Sequence, residues 1–227
     1  MTTDADAGLL HRVVLPAPYY QRDGVTLYHG NALEILPALR FDLMLTDPPY
    51  GIALENHARG KERSDTDWTI ENDDSQETGQ SVLDSWGGAT IAFSSPMKPW
   101  AGKWRQHLVW EKGEHVGGGG DPTTCWKPTY ELIQVRNTGP LDGRRDGSVL
   151  RFRANKADYR FHPTPKPIAL IEYLLCKVRP KRVCDPFSGG GSTLVAAKLC
   201  GIEAVGVEID RRHCDTIVRR LSQGVLF

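Results

Sequence analysis

No Cys-x-x-Cys pair occurs among the five cysteines of this 227-residue chain, Cys125, Cys176, Cys184, Cys200 and Cys214. That spacing excludes a zinc ribbon and a disulfide framework. The odd, scattered set predicts mostly buried small apolar residues in a reducing cytoplasm. No run of 18 apolar residues is present, so no transmembrane helix is expected. The opening Met1-Thr2-Thr3-Asp4-Ala5-Asp6 lacks a basic region followed by an apolar stretch, and no secretory signal is expected. Net charge is also lacking: 28 basic side chains balance 28 acidic ones. A binder of polyanions that works through bulk charge is thereby disfavoured.

What is there suits one large α/β domain spanning residues 1–227, with 40% hydrophobic and 25% charged residues. The charge is unevenly spread. Residues 51–80 carry eight acidic and three basic side chains, and residues 137–166 carry seven basic and three acidic ones. Apolar runs predict strands at 24–28, 41–46, 89–93, 107–110, 130–135, 182–185 and 203–207. Helices are expected at 33–39, with Asn31 as N-cap, and at 77–86, 167–178, 192–200 and 210–221. Residues 51–76 read as a long polar loop, and 137–161 as an irregular basic segment. The alternation of strand and helix predicts a mostly parallel sheet covered on both faces.

Two turns sit where strands should end, the place where open α/β sheets hold ligands. The second is Asp185-Pro186-Phe187-Ser188-Gly189-Gly190-Gly191-Ser192-Thr193. Its glycines allow close backbone approach, and the following helix aims free N–H groups at the turn. Glu208 ends the next strand 23 positions after Asp185. Such a carboxylate can accept hydrogen bonds from ribose hydroxyls. An adenosine-containing cofactor fits this arrangement. A Walker A loop does not, because no Gly-Lys-Ser/Thr follows.

The first turn is Asp47-Pro48-Pro49-Tyr50. On its own such a tetrapeptide is more often a surface turn. At the end of an apolar strand it gains a chemical reading. The exocyclic amine of adenine or cytosine is a poor nucleophile, because its lone pair is delocalised into the ring. The Asp47 carboxylate and the Pro48 carbonyl can accept its two N–H hydrogens and free that lone pair. Two prolines fix φ and keep the carbonyl aimed. Tyr50 can stack on an extruded base.

These motifs together resemble the amino-methylating DNA methyltransferases that use S-adenosylmethionine. The catalytic motif precedes the cofactor motif, which resembles the β group of that family, a circular permutation. His162-Pro163-Thr164-Pro165-Lys166-Pro167, Trp110-Glu111-Lys112 and Ala204-Val205-Gly206-Val207-Glu208-Ile209-Asp210 resemble further segments of the group. The likeness extends over roughly residues 24–221. One departure is Gly30-Asn31, where the group usually has Gly-Asp.

The resemblance implies a Rossmann-like methyltransferase sheet, mostly parallel with an antiparallel strand. It also implies S-adenosylmethionine as cofactor, DNA as partner, and no metal. By the same likeness Asp47, Pro48, Pro49 and Tyr50 hold the target base. Asp185, Phe187, Gly189, Gly191 and Glu208 surround the cofactor. Thr164 and Lys166 reach its methionine end, and Asn31 is either a cofactor contact or an N-cap alone. Arg144, Arg145, Arg151, Arg153, Lys156 and Arg160 are candidate phosphate contacts in a short target-recognition segment at 137–161. Phe152 and Tyr159 lie between them and pack on DNA or on the core. No Pro-Cys pair is present, which disfavours carbon-5 cytosine methylation through a thiolate. The expected target is adenine N6, with cytosine N4, or an RNA or protein amide, as alternatives. A homodimer would add a second reading surface.

Overall fold

The computed structural model describes residues 14–51, 75–113, 123, 126–153 and 165–223. Among these described residues nine strands form one sheet: β1 (Tyr20–Arg22), β2 (Val25–His29), β3 (Leu43–Thr46), β4 (Ala89–Ser94), β5 (Gln106–Glu111), β6 (Tyr130–Arg136), β7 (Val149–Arg151), β8 (Arg182–Asp185) and β9 (Glu203–Glu208). Five helices accompany them: α1 (Ala32–Ile35), continued by a 3-10 turn at Leu36–Ala38, then α2 (Glu77–Asp84), α3 (Ile168–Val178), α4 (Ser192–Leu199) and α5 (Arg211–Ser222). No helix among the described residues is long and apolar enough to cross a membrane.

The strand order is β1-β2-β9-β8-β3-β4-β6-β5-β7. Pairings β2–β9, β9–β8, β8–β3, β3–β4 and β5–β7 are parallel. β1 and β6 run against their neighbours. The sheet is thus mostly parallel, with two reversed strands where one was expected. The permuted motif order is visible in the pairing of β2 with β9, near the two ends of the chain, with His29 opposite Glu208.

Central strands are buried on both faces, as parallel strands under two helical layers must be. In β3, Leu43 and Leu45 join the core beneath α3, α4 and α5, whereas Met44 joins the core beneath α1 and α2. Val183 and Cys184 divide in the same way, as do Ala204 and Val205. This is the period-two alternation of a strand with both faces covered. Leu43, Met44 and Leu45 show no exposure. Each such burial stabilises by about 1.5–3 kcal/mol.

Two expectations need correction. Residues 137–161 are not wholly irregular, since β7 pairs with β5. The three-residue edge strand β1 was not foreseen either. Both are too short to show a period. Elsewhere, element boundaries differ from expectation by a residue or two, except that the 33–39 helix divides into α1 and the 3-10 turn.

Candidate functional site

From β8 the chain passes through α4 to β9 on one side; from β3 it leads by way of α2 to β4 on the other. The turns after β8 and β3 therefore diverge, and a crevice opens between them at the switch point of the sheet. A cavity of about 600 Å³ lies there. Its wall includes Asp47, Pro48, Pro49 and Tyr50 from the first turn and Asp185, Phe187, Ser188, Gly189 and Gly190 from the second. Lys166, Glu131, Glu208 and His213 are among the polar residues that line it, and the exposed side chains of Met97 and Trp126 stand at it too.

On the glycine side, Glu208 is a brace. Its Oε2 accepts the Gly189 N–H at 2.6 Å and its Oε1 accepts the Asp210 N–H at 2.8 Å. His213 Nδ1 stands 3.7 Å from Oε1. Each carboxylate oxygen has two lone pairs, so acceptor capacity for a ligand remains. Gly191 caps α4 with φ +80°, and a Cβ there would meet Ile217 Cγ1 at 2.8 Å. Only glycine allows the turn to close so tightly on α5. Arg220 donates to the Gly190 carbonyl from the same helix. Asn31 caps α1, its side-chain oxygen accepting the Leu33 N–H at 3.0 Å. It sits beside the end of β9, where the Gly30 N–H donates to the Glu208 carbonyl at 2.9 Å.

Asp185 is buried, and Thr46 Oγ1 donates to its Oδ1 at 2.9 Å. The Phe187 N–H reaches the same oxygen at 3.2 Å. Burial pushes this carboxyl up to about 7 against the hydrogen bonds from Thr193, Thr46 and Phe187.

On the other side, Asp47 Oδ1 accepts from the Tyr50 hydroxyl at 2.6 Å, and its Oδ2 pairs with Lys166 Nζ at 2.5 Å. Glu131 Oε2 lies 3.1 Å from the same hydroxyl and 3.2 Å from the same ammonium. Its Oε1 pairs with Lys112 Nζ at 2.5 Å. Lys166 is enclosed by the Phe93, Tyr50 and Trp110 rings, at 5.2, 5.6 and 6.0 Å from the ring centres. Burial, then the Glu131 charge, raise the Asp47 carboxyl against the pull of Lys166. Glu131 is lowered instead, because Lys166 and Lys112 outweigh its burial. Burial lowers Lys166, but Asp47 and Glu131 more than restore it. Tyr50 is held well above its ordinary value by burial and both carboxylates.

Lys166 was expected at the methionine end of a cofactor. Its ammonium instead grips Asp47 and Glu131. Glu131 was not singled out from the sequence, although it is a charged residue in an otherwise apolar strand start. β6 runs antiparallel, so its first residues stand at the edge of the sheet where its neighbours end. Thr164, Lys156, Arg160 and Tyr159 lie outside the described residues, as does most of the 51–76 loop. The two ends of that loop meet: a Cβ on Gly51 would stand 2.7 Å from the Ser75 carbonyl carbon.

The arginines divide. Arg151 Nε pairs with Glu111 Oε2 at 2.7 Å, and Arg153 follows it, both exposed at the ligand edge of the sheet. Arg144 and Arg145 are exposed near the C-terminal end of α3, where Lys177 Nζ donates to the Arg144 carbonyl at 2.6 Å. Because α3 leads from Lys166 back to the start of β8, that end is opposite the cavity. Phe152 packs on the core and against the Tyr173 ring at 5.5 Å.

The cavity therefore joins a glycine turn braced by Glu208 to the Asp47-Pro48-Pro49-Tyr50 turn, with the Asp47 carboxylate in its wall. One side suits a nucleoside ligand; the other can draw hydrogens from an amine.

Comparison with known proteins agrees with this layout. The profile of a family described as DNA methylase, N6/N4 type, matches residues 71–219. The type II methyltransferase M.ScaI of Streptomyces caespitosus is 27% identical over 264 residues, spanning 92% of this chain and 84% of its own. The crystal structure of the M1.HpyAVI–SAM complex superposes with a TM-score of 0.63 at 18% identity, over 87% of this chain and 99% of that one. PvuII DNA methyltransferase, described as cytosine-N4-specific, gives 0.64 at 14% identity, over 92% and 90%. At such identities the two structures speak for the fold alone.

Proposed function

The chain belongs to the N6/N4 DNA methylase family, and from that premise we propose that it methylates the N6 amino group of adenine in DNA, with S-adenosylmethionine as donor. The carrying observation is that Asp47 and the Glu208-braced glycine turn line one cavity at the switch point of the sheet. Its volume of about 600 Å³ is in the range of small-molecule sites. The donor would be held by Glu208 at its ribose, by the turn at Phe187, Gly189 and Gly191, and by the N-terminus of α4. Asn31 stands close enough to the end of β9 to take part.

When bound, the donor supplies a methyl group on a sulfonium, with a neutral thioether as leaving group. The chain's own work is then orientation and electrostatics. The Asp47 carboxylate and the Pro48 carbonyl accept the two amine hydrogens and turn the nitrogen lone pair toward the methyl. Pro48 and Pro49 restrict the turn so that little reorganisation accompanies the reaction. The Tyr50 ring flanks the base. Lys166 holds Asp47 in place through their ion pair.

Cytosine N4 is the second reading. The same two acceptors serve either amine, and the PvuII enzyme, described as cytosine-N4-specific, shares the fold. Incubation with labelled S-adenosylmethionine and DNA, followed by nucleoside analysis, separates the readings. N6-methyladenine is the expected product. N4-methylcytosine would replace the first reading by the second, and no transfer to any DNA would remove both.

A further inference from the structure

Four ionisable side chains and one phenol form a closed network behind the proposed amine site. Asp47 is faced by Tyr50 from its own turn, by Lys166 from the approach to α3 and by Glu131 from β6. Asp185 of β8 lies behind it, on Thr46. Glu131 is faced by Lys112 from the end of β5, and by Lys166 and Tyr50. Two carboxylates and two ammonium groups balance.

Their sharing is unequal. The Tyr50 hydroxyl has a single hydrogen, yet stands 2.6 Å from Asp47 and 3.1 Å from Glu131. Lys166 is 2.5 Å from Asp47 and 3.2 Å from Glu131. Without a competitor both donors would fall fully on Asp47. Each oxygen of that carboxylate, already partnered at 2.6 and 2.5 Å, would then hold its partner unshared and be a still weaker acceptor for an amine hydrogen. The amine must in turn release a proton. As its nitrogen bonds to the methyl carbon, the C–S bond breaks with its electron pair staying on sulfur. The cationic nitrogen then gives one proton to Asp47.

We propose that Glu131 is a positioning residue that keeps Asp47 a competent acceptor for that hydrogen, by drawing off part of the Lys166 ammonium and of the Tyr50 hydroxyl. Lys112 fixes Glu131 from the far side and keeps it ionised. The inference rests on the reading of Asp47 as the amine acceptor. It is consistent with the direction in which the Glu131 charge moves Asp47.

The test is Glu131→Gln, which keeps shape and one acceptor oxygen but removes the charge. Its kcat is expected to fall roughly tenfold, less than the roughly 100-fold or more of a direct proton-transfer group, because Glu131 acts through Asp47. KM for S-adenosylmethionine and for DNA should stay near wild type. The acid limb of the kcat–pH profile should move to lower pH, because Asp47, left alone with Lys166, holds its proton less firmly. Glu131→Asp should return the limb toward its original position. A folded Glu131→Gln protein with unchanged kcat and limb, or with the limb moved to higher pH, overturns the proposal. Should that variant not fold, Glu131→Gln combined with Lys112→Met removes both ends of the ion pair, and the same limb is read there. If the wild-type protein transfers no methyl group, the proposed function fails instead, so the two failures are distinct.

Discussion

Thr46 and Asp185 stand 139 positions apart in the chain and meet at 2.9 Å, hydroxyl to carboxylate, where β3 and β8 end side by side. The contact ties the Asp47 turn to the glycine turn. It also keeps a carboxyl in a place with little water.

That placement has a pH signature. The Asp185 carboxyl is raised from 3.8 to about 7 in the folded protein, chiefly by burial. Between those values the unfolded chain releases a proton that the native state keeps. The contribution of Asp185 is therefore fully present below about pH 4 and is lost as pH rises toward 7. The slope is at most about 1.4 kcal/mol per pH unit. Asp185→Asn keeps an acceptor for Thr46 and Phe187 and should flatten this part of the curve. Melting temperatures of both proteins from pH 4 to 8 check it; parallel curves would refute the assignment.

Asp47→Ala should remove methyl transfer by on the order of 100-fold or more, as expected for loss of a preorganised electrostatic contact. Lys166 keeps Glu131 as a partner at 3.2 Å, so the fold should survive. Donor binding should persist in calorimetry while single-turnover rates collapse. Near-normal turnover in the purified variant would exclude the acceptor role.

Glu208→Ala should weaken S-adenosylmethionine binding by about 1.5–3 kcal/mol, the scale of hydrogen bonds to a charged group. It also strips the acceptors from the Gly189 and Asp210 N–H groups. Glu208→Gln keeps one carbonyl oxygen and should fall between wild type and alanine. Equal affinity across the three proteins would show that the carboxylate serves the turn alone.

Arg151 and Arg153 stand at the ligand edge of the sheet, whereas Arg144 and Arg145 stand at the other end. Replacing the first pair by alanine should weaken binding to all DNA sequences alike. Each lost phosphate contact should reduce the slope of log K against log salt by roughly 1. Replacing the second pair should leave the slope unchanged. A changed choice of methylated sequence, with the slope intact, would make Arg151 and Arg153 base readers instead.

That both turns end strands was legible because strand, turn and helix are local and their residues adjacent. Asp47 follows an apolar run, and Glu208 ends a strand at a fixed interval. What depends on strand direction was not legible. Glu131 shares Tyr50 and Lys166 with Asp47 only because β6 is reversed, and no period in Tyr130–Val135 announces that. Lys166 lies beside a recognisable segment, yet its partners come from β3 and β6, far away in sequence. The arginines of 144–153 look like one cluster along the chain. The path of Val149–Arg151 across the sheet divides them between opposite ends.

The meeting of Gly51 and Ser75 bears on how this scaffold can diversify. Lys98 donates to the Gly51 carbonyl, and Gln76 Nε2 donates to the Lys98 carbonyl at 2.9 Å. Gly51 and Ser75 are thus pinned together beside Pro48-Pro49-Tyr50. Once a loop's ends are fixed, doubling its length adds only about 0.6 kcal/mol of closure entropy. Insertions or deletions between Gly51 and Ser75 should therefore cost the fold little while the Asp47 turn stays pinned where it is.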